Sequence, residues 1–433
     1  MLIADRNQAS QRRRRSVYCH HRLVWCTTAG RRIGGHTAAR ACSRASSPFG
    51  DRNELTTRQR QIRVVAVPIR YRRWRATVRE SVMKVDIWTH VLSPSYVGHL
   101  EARGQQGPGA FLLTQRALYD LDVRRSVIDA YPGYRQILAP IPAPHIEPSL
   151  AGPGLVELVR RNNDEMAELV ERYPEQFAGW IAATPLADPD AATEEAERSV
   201  RELGALGVQL EEDAINLPLH EERYKPLFAA MEQLDAAVWL HPYRTPATPG
   251  SPPETAPFLL WSVCGWTFDT TITVSRLIFA GIYDRHPNLK LIAHHGGGVI
   301  PLLSGRIELV AHAGKLDPTG TLDEQLERLR KPLLDYFKML YVDTAMFGGE
   351  HAVRCVVEFF GVDRVMFGSD APFDTKGGSY FIPRTISDVE GVVSDNAESA
   401  MIFHGNAERI LGITSGDREP ARQTLSTDTG AQP

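Results

Sequence analysis

Residues 363–372, DRVMFGSDAP, join a short apolar run to an acidic turn. Residues 365–367, VMF, have the composition of a buried strand, and Gly368 and Pro372 mark the turn that ends it. Asp370 therefore lies where a buried strand stops. In a closed parallel barrel the carboxyl ends of all strands converge on one face, so we expect other strand ends to bring partners to this carboxylate.

Strand-like and helix-like segments alternate along the chain on either side of this stretch. The eight predicted strands are 85–88, 136–139, 177–183, 207–210, 236–241, 289–295, 339–344 and 364–368. The helices predicted between them are 155–172, 191–203, 222–234, 271–285, 322–337 and 351–360. Eight strands that alternate with helices predict an α/β fold, the TIM (β/α)8 barrel. A doubly wound open sheet is the alternative, because short apolar runs are easily miscounted.

Charge divides the chain into a basic head and an acidic body. Residues 1–82 contain 19 Arg, no Lys and 4 acidic residues, whereas the remainder holds 30 basic and 48 acidic residues. Three interpretations of the head are open: a basic arm for nucleic acid, an Arg-rich transit segment, or sequence upstream of a start at Met83. We favour the last, because Met83 directly precedes the first predicted strand. The predicted boundaries are 1–82 for this extension, 83–413 for the barrel and 414–433 for a disordered tail.

Composition limits the partners and the compartment of the body. With 433 residues, of which 43% are hydrophobic, the chain can bury a large core. The acidic body has no bulk attraction to nucleic acid, and no apolar run approaches the roughly 18 residues that span a membrane. Only Cys264 and Cys355 lie in the body. We therefore predict no disulfide framework and a reducing cytoplasm.

Four side chains of the kind that bind metal ions lie at predicted strand ends. His90 follows the first strand, His241 ends the fifth, His295 ends the sixth, and Asp370 follows the eighth. Imidazole nitrogen combined with carboxylate oxygen is a ligand set of catalytic zinc. A lone histidine more often caps, packs or hydrogen-bonds, and we assign those roles to the histidines elsewhere: His99, His145, His220, His351 and His404. The shared placement of the four at strand ends favours a common site.

Six motifs, taken in order, resemble one family. They are VDIWTHVLSP at 85–94, VWLHP at 238–242, LKLIAHHGGGVIPLLSGRI at 289–307, YVDTA at 341–345, VMFGSDAPF at 365–373 and GNAERIL at 405–411. Together they resemble the amidohydrolase-related proteins of the aminocarboxymuconate semialdehyde decarboxylase family. The resemblance implies a TIM barrel of the metal-dependent hydrolase type and a divalent metal ion, usually zinc and in some members manganese. It also implies non-oxidative decarboxylation of aromatic or unsaturated acids, although some relatives hydrolyse or hydrate.

The resemblance implies roles for individual residues. His90 resembles the second histidine of the family's first-strand HxH pair. His241 resembles the metal ligand of the fifth strand, and Asp370 the metal-bound aspartate. His295, which precedes three glycines, resembles the catalytic histidine of the sixth strand. His294 should point away from the site, because successive residues of a strand face opposite sides.

Trp88 stands where the family has the first histidine of its HxH pair, and indole does not ligate a metal ion. Two outcomes are open. In the first, the three remaining ligands hold the ion as a catalytic site, aided by Glu211 or His295. In the second, the site is metal-free, Trp88 packs the barrel mouth, and the barrel is non-catalytic.

Three further residues are candidates for contact with a substrate. Arg244, just after the fifth strand, and Arg306 carry the forked guanidinium that grips a carboxylate. Trp266 stands at the end of the Pro-rich segment 242–265, which should lie over the barrel mouth. Solvated surface positions for the arginines and core packing for the tryptophan are the structural alternatives.

The leading hypothesis for function is a metal-dependent decarboxylase in which His295 and Asp370 deliver a proton to the carbon that loses carbon dioxide. A metal-dependent hydrolase of an amide, ester or lactone needs the same residues, so the sequence does not separate the two. A non-catalytic barrel is the third hypothesis. The expected ligand is a small carboxylic acid, and the resemblance points to a homodimer.

Overall fold

A computed structural model describes residues 82–104, 109–146, 152–212, 218–244, 259–310, 321–374 and 376–414. The chain divides into two units, residues 1–74 and 75–433, and every described residue belongs to the second. The predicted head lies outside the described residues apart from Val82, and the predicted tail lies outside them apart from Thr414.

The described residues form eight parallel strands. They are β1 Lys84–Val91, β2 Tyr134–Pro140, β3 Phe177–Trp180, β4 Gly207–Glu212, β5 Ala237–Pro242, β6 Lys290–Ala293, β7 Tyr341–Asp343 and β8 Val365–Met366. Strands that follow one another along the chain are neighbours, from β1 to β3 and from β4 to β8. Almost all strand residues are buried, as expected where helices cover one face of a parallel sheet and the barrel interior covers the other.

Backbone hydrogen bonds join the two sheets at both edges and close the barrel. His90 N donates to Ala371 O (2.7 Å) between β1 and the end of β8. Ala182 N donates to Gly207 O (2.9 Å) between the end of β3 and β4. Closure makes the carboxyl ends of all eight strands converge at one mouth, where barrels of this kind place their active sites.

Alternation along the strands separates two apolar layers. Trp239 and Ile292 belong to the layer inside the barrel, whereas Val238 and Leu291 pack in the layer between strands and helices. Because side chains two residues apart on a strand share a face, His241 faces the same inward side as Trp239. The strand pattern therefore aims His241 at the centre of the mouth.

The helices of the described residues follow the strands. They are Pro94–Ala102, Leu121–Ile128, Ala143–Ile146, Pro153–Arg172, Pro189–Arg201, Lys225–Gln233, Thr267–Phe279, Ile282–Arg285, Ile300–Val310, Thr321–Arg328, Leu333–Phe337, Glu350–Phe360, Phe381–Val392, Asn396–Ala400 and Asn406–Leu411. Within the part of the chain that the structure describes, no helix is both long and apolar enough to cross a membrane.

The predicted α/β barrel is confirmed, since each of the eight predicted strands overlaps an observed one. The predicted helix 271–285 is two helices, because Gly281 adopts a left-handed conformation with φ 76° that ends the first of them. The predicted helix 322–337 is likewise divided, and Pro332 directly precedes its second part. The covering segment 242–265 lies outside the described residues from 245 to 258.

Candidate active site

The seam between β8 and β1 places His90 and Asp370 face to face. Asp370 N donates a hydrogen bond to Trp88 O (3.1 Å), which anchors the turn after β8 to β1. Asp370 has a φ of 60°, a left-handed conformation that costs a non-glycine residue about 1 kcal/mol. Its Oδ1 lies 3.1 Å from His90 Nε2, and the two residues are 4% and 1% exposed. The mouth therefore contains a buried imidazole and carboxylate in contact.

The turn after β6 brings His294 and His295 into the same pocket, so the predicted outward orientation of His294 is wrong. His295 has φ 52° and ψ 47°, which is a left-handed conformation. The alternation of faces on which the prediction relied holds only for extended backbone. The two imidazoles stack with their ring centroids 3.8 Å apart, and both residues are buried.

Asp343, the last residue of β7, sets the orientation of His294. The Nδ1–H of His294 donates to Asp343 Oδ2, and Asp343 Oδ1 accepts two backbone N–H groups, each at 3.0 Å. With Nδ1 held in this way, Nε2 of His294 faces Asp370 Oδ1 at 3.5 Å. His295 Nε2 lies 3.7 Å from the other oxygen of Asp370. One carboxylate thus contacts imidazoles from two different strand ends.

Two overlapping groups of ligand atoms could hold a metal ion. Those of His90, His241 and His294 lie within 4.8 Å of one another, and so do those of His294, His295 and Asp370. Nδ1 of His90 and Nδ1 of His295 make no hydrogen bond with a described residue, and the Nε2 atoms of His90, His294 and His295 face Asp370 at 3.1–3.7 Å without a well-aligned hydrogen bond. Buried nitrogens are normally hydrogen-bonded, and unpaired ones around a carboxylate match the donor set of zinc sites. The residues present therefore fit the predicted divalent metal ion.

Trp88 packs against this cluster rather than contributing to it. Its indole stacks on the imidazole of His294, with centroids 3.8 Å apart and planes 8° apart, and Trp88 is fully buried. His294 supplies a third nitrogen within reach of His90 and His241, where the family resemblance had implied a histidine at position 88. Of the two possible aids to the metal site, His295 belongs to one of these groups and Glu211 belongs to neither.

Opposite charges within the cluster shift its pKa values. Burial alone would raise the pKa of Asp370, but its contacts with three imidazoles hold that pKa well below the usual range. Burial alone would lower the pKa of His294, but Asp343 and Asp370 on either side raise it to about 9. Burial and the neighbouring His294 lower the pKa of His295. The two stacked histidines therefore favour different charge states.

Aromatic rings surround the imidazoles. Trp266 stacks on His295, with ring centroids 5.9 Å apart and planes 24° apart. Phe347 contacts the same imidazole at 5.7 Å, and Phe373 contacts His90 at 5.2 Å. Rings from three separate segments thus line the mouth, and such a lining suits a planar aromatic ligand.

The two predicted arginines have different surroundings. The guanidinium of Arg244 donates to both carboxyl oxygens of Asp269, at 2.7 and 2.8 Å, and its carbonyl oxygen accepts the Trp266 Nε1–H at 2.7 Å. Arg244 therefore holds Trp266 at the mouth. Arg306 is exposed on the helix Ile300–Val310, so its position lends no support to the predicted contact with a substrate.

A further buried carboxyl stands at the end of β4. Glu211 pairs in register with His241 on β5, and register partners on parallel strands face the same side. Glu211 is 1% exposed, and neither carboxyl oxygen accepts a hydrogen bond from a described residue. Burial raises its pKa to about 8. This carboxyl is thus beside the cluster without belonging to it.

The model of the amidohydrolase family matches residues 155–413, more than half of the chain. This chain belongs to the amidohydrolase family. The family assignment made from the motifs is therefore confirmed, and the barrel of this amidohydrolase has the fold of solved family members.

Relatives of this amidohydrolase are decarboxylases. It is 29% identical over 313 residues to gamma-resorcylate decarboxylase of Rhodococcus jostii, across 68% of this chain and 92% of the relative. It is 26% identical over 351 residues to 2-amino-3-carboxymuconate-6-semialdehyde decarboxylase of Dictyostelium discoideum, across 76% of this chain and 92% of the relative. The crystal structure of 2,6-dihydroxybenzoate decarboxylase complexed with 2,6-dihydroxybenzoate is similar with a TM-score of 0.63 and 27% identity, across 76% and 98% of the two chains.

The sequence analysis did not place three residues at the site of this amidohydrolase. Asp343 ends β7, so the strand-end criterion that selected His90 would also have selected it. His294 was assigned to the wrong face. Phe347 carried no signal, because it lies in a loop with a positive φ of 54° and reaches His295 only through the tertiary fold.

Proposed function

We propose that this amidohydrolase is a metal-dependent, non-oxidative decarboxylase of an aromatic carboxylic acid. The observation that carries the proposal is the buried cluster of four imidazoles and one carboxylate at the barrel mouth, lined by aromatic rings. Relatives named for gamma-resorcylate and 2,6-dihydroxybenzoate support a hydroxylated aromatic acid as the substrate.

We assign His90, His241 and Asp370 as the ligands of a divalent ion, with His294 as a further nitrogen within reach. Nitrogen and oxygen donors together suit Zn²⁺, and Mn²⁺ is the alternative. When bound, the ion supplies positive charge that attracts the substrate oxygens and stabilises the negative charge that develops on decarboxylation. His90 and Asp370 are already in contact, so the ligand set is preorganised.

The reaction replaces the carboxylate on a ring carbon by hydrogen. The electrons of the breaking carbon–carbon bond stay on the ring carbon, a proton forms the new carbon–hydrogen bond, and carbon dioxide leaves. His295 is the proposed proton donor, because its ring nitrogens make no hydrogen bond with a described residue and its ring stacks between His294 and Trp266 at the barrel mouth. His295 then recovers a proton from water, and the negative charge of Asp370, whose Oδ2 lies 3.7 Å from His295 Nε2, favours that uptake.

The remaining residues position these groups. Asp343 accepts the His294 Nδ1–H and holds that imidazole beside Asp370. Trp88 stacks on the same imidazole and limits its movement. Trp266, fixed by its hydrogen bond to Arg244, closes the pocket above His295. The aromatic walls hold the substrate ring and exclude water from it, which strengthens the electrostatic contacts inside the pocket.

Release of carbon dioxide tests the proposal. The protein is purified without added metal, reconstituted with Zn²⁺ or Mn²⁺, and incubated with a panel of hydroxybenzoates and muconate-type acids. We expect release only with the ion bound, and we expect His295→Ala to lower kcat by about 10²–10⁴-fold. His351→Ala is the matched control, because His351 is an exposed histidine on the helix Glu350–Phe360.

Two results would refute the proposal. Cleavage of esters or lactones without release of carbon dioxide would identify a hydrolase on the same barrel. Full activity in protein that is free of metal by elemental analysis would remove the ion from the reaction.

A further inference from the structure

The barrel mouth contains a buried carboxyl that neither the metal site nor the proton donor uses. Both oxygens of Glu211 are buried and accept no hydrogen bond from a described residue. Gln209, two residues earlier on the same face of β4, donates its Nε2–H to Pro140 O (3.1 Å). A buried carboxyl without a partner destabilises a fold by about 1–3 kcal/mol. Such a group in a functional cleft is therefore a candidate for contact with a ligand.

Glu211 lies within reach of a ligand bound at the imidazole cluster. It is the register partner of His241, and neighbouring strands are about 4.8 Å apart. Its carboxyl therefore stands one strand spacing from the cluster, on the same inward face and near the same strand ends.

Tyr96 adds a second unpartnered polar atom at this place. It lies in the helix Pro94–Ala102, directly after the strand that carries His90, and it is fully buried. Its hydroxyl makes no hydrogen bond with a described residue. Tyr96 packs in one cluster with Ile141 and Ala183, which follow β2 and β3 at the barrel mouth, and β4 is the next strand. Burial, and then the charges of Glu211 and Glu165, raise the pKa of Tyr96.

The Glu211 carboxyl has few hydrogen-bond donors around it among the described residues: its own backbone N–H and the Gln209 side chain hold its pKa down in part, but neither makes a well-aligned hydrogen bond to it. In its ionised form Glu211 offers two acceptor oxygens, and the single hydroxyl hydrogen of Tyr96 satisfies one of them at most. A ligand that donates to the carboxyl favours this form. No arginine or lysine among the described residues contributes to the charge balance of Glu211. A ligand carboxylate would add a second acceptor group, whereas a hydroxyl or amino group brings the missing donor.

We propose that Glu211 and Tyr96 form a subsite that binds a hydroxyl or amino substituent on the substrate ring. The subsite selects hydroxylated or aminated aromatic acids over unsubstituted ones, and it rests on the proposed function for the ring acid itself. The substituent donates to Glu211 and accepts from Tyr96 while the substrate carboxylate lies at the imidazole cluster. A ring without a donor leaves Glu211 buried and unpaired, so it binds more weakly.

Binding of reaction products tests the subsite without turnover. Resorcinol and its monomethyl ether differ in one hydrogen-bond donor, and titration calorimetry on the metal-loaded full-length protein gives a Kd for each. We expect the protein to bind resorcinol about 10–100-fold more tightly than the ether. Glu211→Gln replaces one acceptor oxygen by an N–H donor, so we expect this preference to fall to about threefold or less. Tyr96→Phe should weaken resorcinol binding by about tenfold.

Glu195→Gln is the matched control for these variants. Glu195 is an equally buried glutamate, but it pairs with Arg198 and accepts from Asn163 outside the site. This variant should keep the full preference for resorcinol. Circular dichroism and elemental analysis of each variant establish that the fold and the metal are retained.

The possible outcomes are distinct. An unchanged preference in Glu211→Gln, with fold and metal retained, overturns the subsite even if carbon dioxide is released. Loss of the metal from that variant makes Glu211 a metal ligand and also overturns it. A preference that depends on Glu211, found together with no carbon dioxide release from any acid, refutes the proposed function and leaves the subsite standing.

Discussion

Two buried carboxyls in the same barrel have opposite surroundings. Asp86, at the seam of β1 and β8, accepts backbone N–H groups from Trp88 (3.2 Å) and Ser369 (2.9 Å), and the hydroxyls of Ser369 and Tyr134. Glu211, at the end of β4, accepts no hydrogen bond from a described residue. Burial raises the pKa of both, to about 6 for Asp86 and about 8 for Glu211. The four donors to Asp86 account for the lower value, because they stabilise its charged form.

We interpret the difference as one of role: Asp86 stabilises the closure of the barrel, and Glu211 is proposed to bind a ligand. Asp86 connects β1 to the turn after β8, so its partners are supplied by the chain and the barrel needs it. Glu211 has the same burial without that compensation. Local rules of this kind are broken mainly at functional sites. Asp370 is the intermediate case, since its partners are imidazoles that also surround a common space.

Asp370→Asn should have the largest effect on activity. The substitution removes the charge that three imidazoles contact and one of the proposed metal ligands, so we expect kcat/KM to fall by about 10³-fold or more. Carbon dioxide release and metal content are measured on the same preparation. Asp374→Asn is the control, because Asp374 is also a buried aspartate but accepts only backbone N–H groups. Similar activity in the two variants would contradict the assigned role.

Asp86→Ala should have the largest effect on stability. Four donors would lose their acceptor in the core, so we expect the free energy of unfolding to fall by about 3–6 kcal/mol. Urea denaturation measures the change. Asp395→Ala, which removes an exposed helix N-cap that also accepts two backbone N–H groups, should lower it by about 1 kcal/mol. An equal loss in both variants would show that the seam carboxyl is dispensable.

Asp343→Asn should have an intermediate effect. Asn keeps the shape but accepts the His294 Nδ1–H less strongly, so the imidazole loses its fixed orientation, and we expect kcat to fall by about 10–100-fold. Steady-state assays separate kcat from KM, and elemental analysis follows the metal. A positioning role predicts that KM and metal content change little. A change confined to KM would instead place Asp343 in contact with substrate.

The barrel and half of the site could be predicted from the sequence, for a topological reason. Parallel strands end at one mouth, so His90, His241 and Asp370 were brought together as soon as the strands were counted correctly. The side chain of His294 could not be placed, because its neighbour His295 leaves the extended conformation on which the prediction of alternating faces relied. The sequence showed at position 88 a tryptophan where the family resemblance implied a histidine, but it did not show that Trp88 stacks on His294.

The same limit applies to Glu211. Its residue type and strand position made it one of two possible aids to the metal site, together with His295, and neither group of ligand atoms in the described residues includes it. Which ligand atoms lie close together depends on distances across the mouth, and only the folded chain supplies them. A strand pattern predicts which face of the sheet a side chain occupies, but it does not predict whether a hydrogen-bonding partner lies on that face.

Glu211→Gln should have the smallest effect on stability, with the opposite sign to that of Asp86→Ala. It removes a buried ionisable group that has no partner among the described residues, so we expect the ligand-free, metal-loaded protein to gain about 1 kcal/mol and its Tm to rise by about 2 °C. Thermal and urea denaturation under the conditions used for Asp86→Ala measure both quantities. A variant that is more stable but less selective for resorcinol would show that Glu211 contributes to ligand binding at a cost in stability. A loss of several kcal/mol would instead mean that Glu211 has a structural partner, and the contrast with Asp86 would disappear.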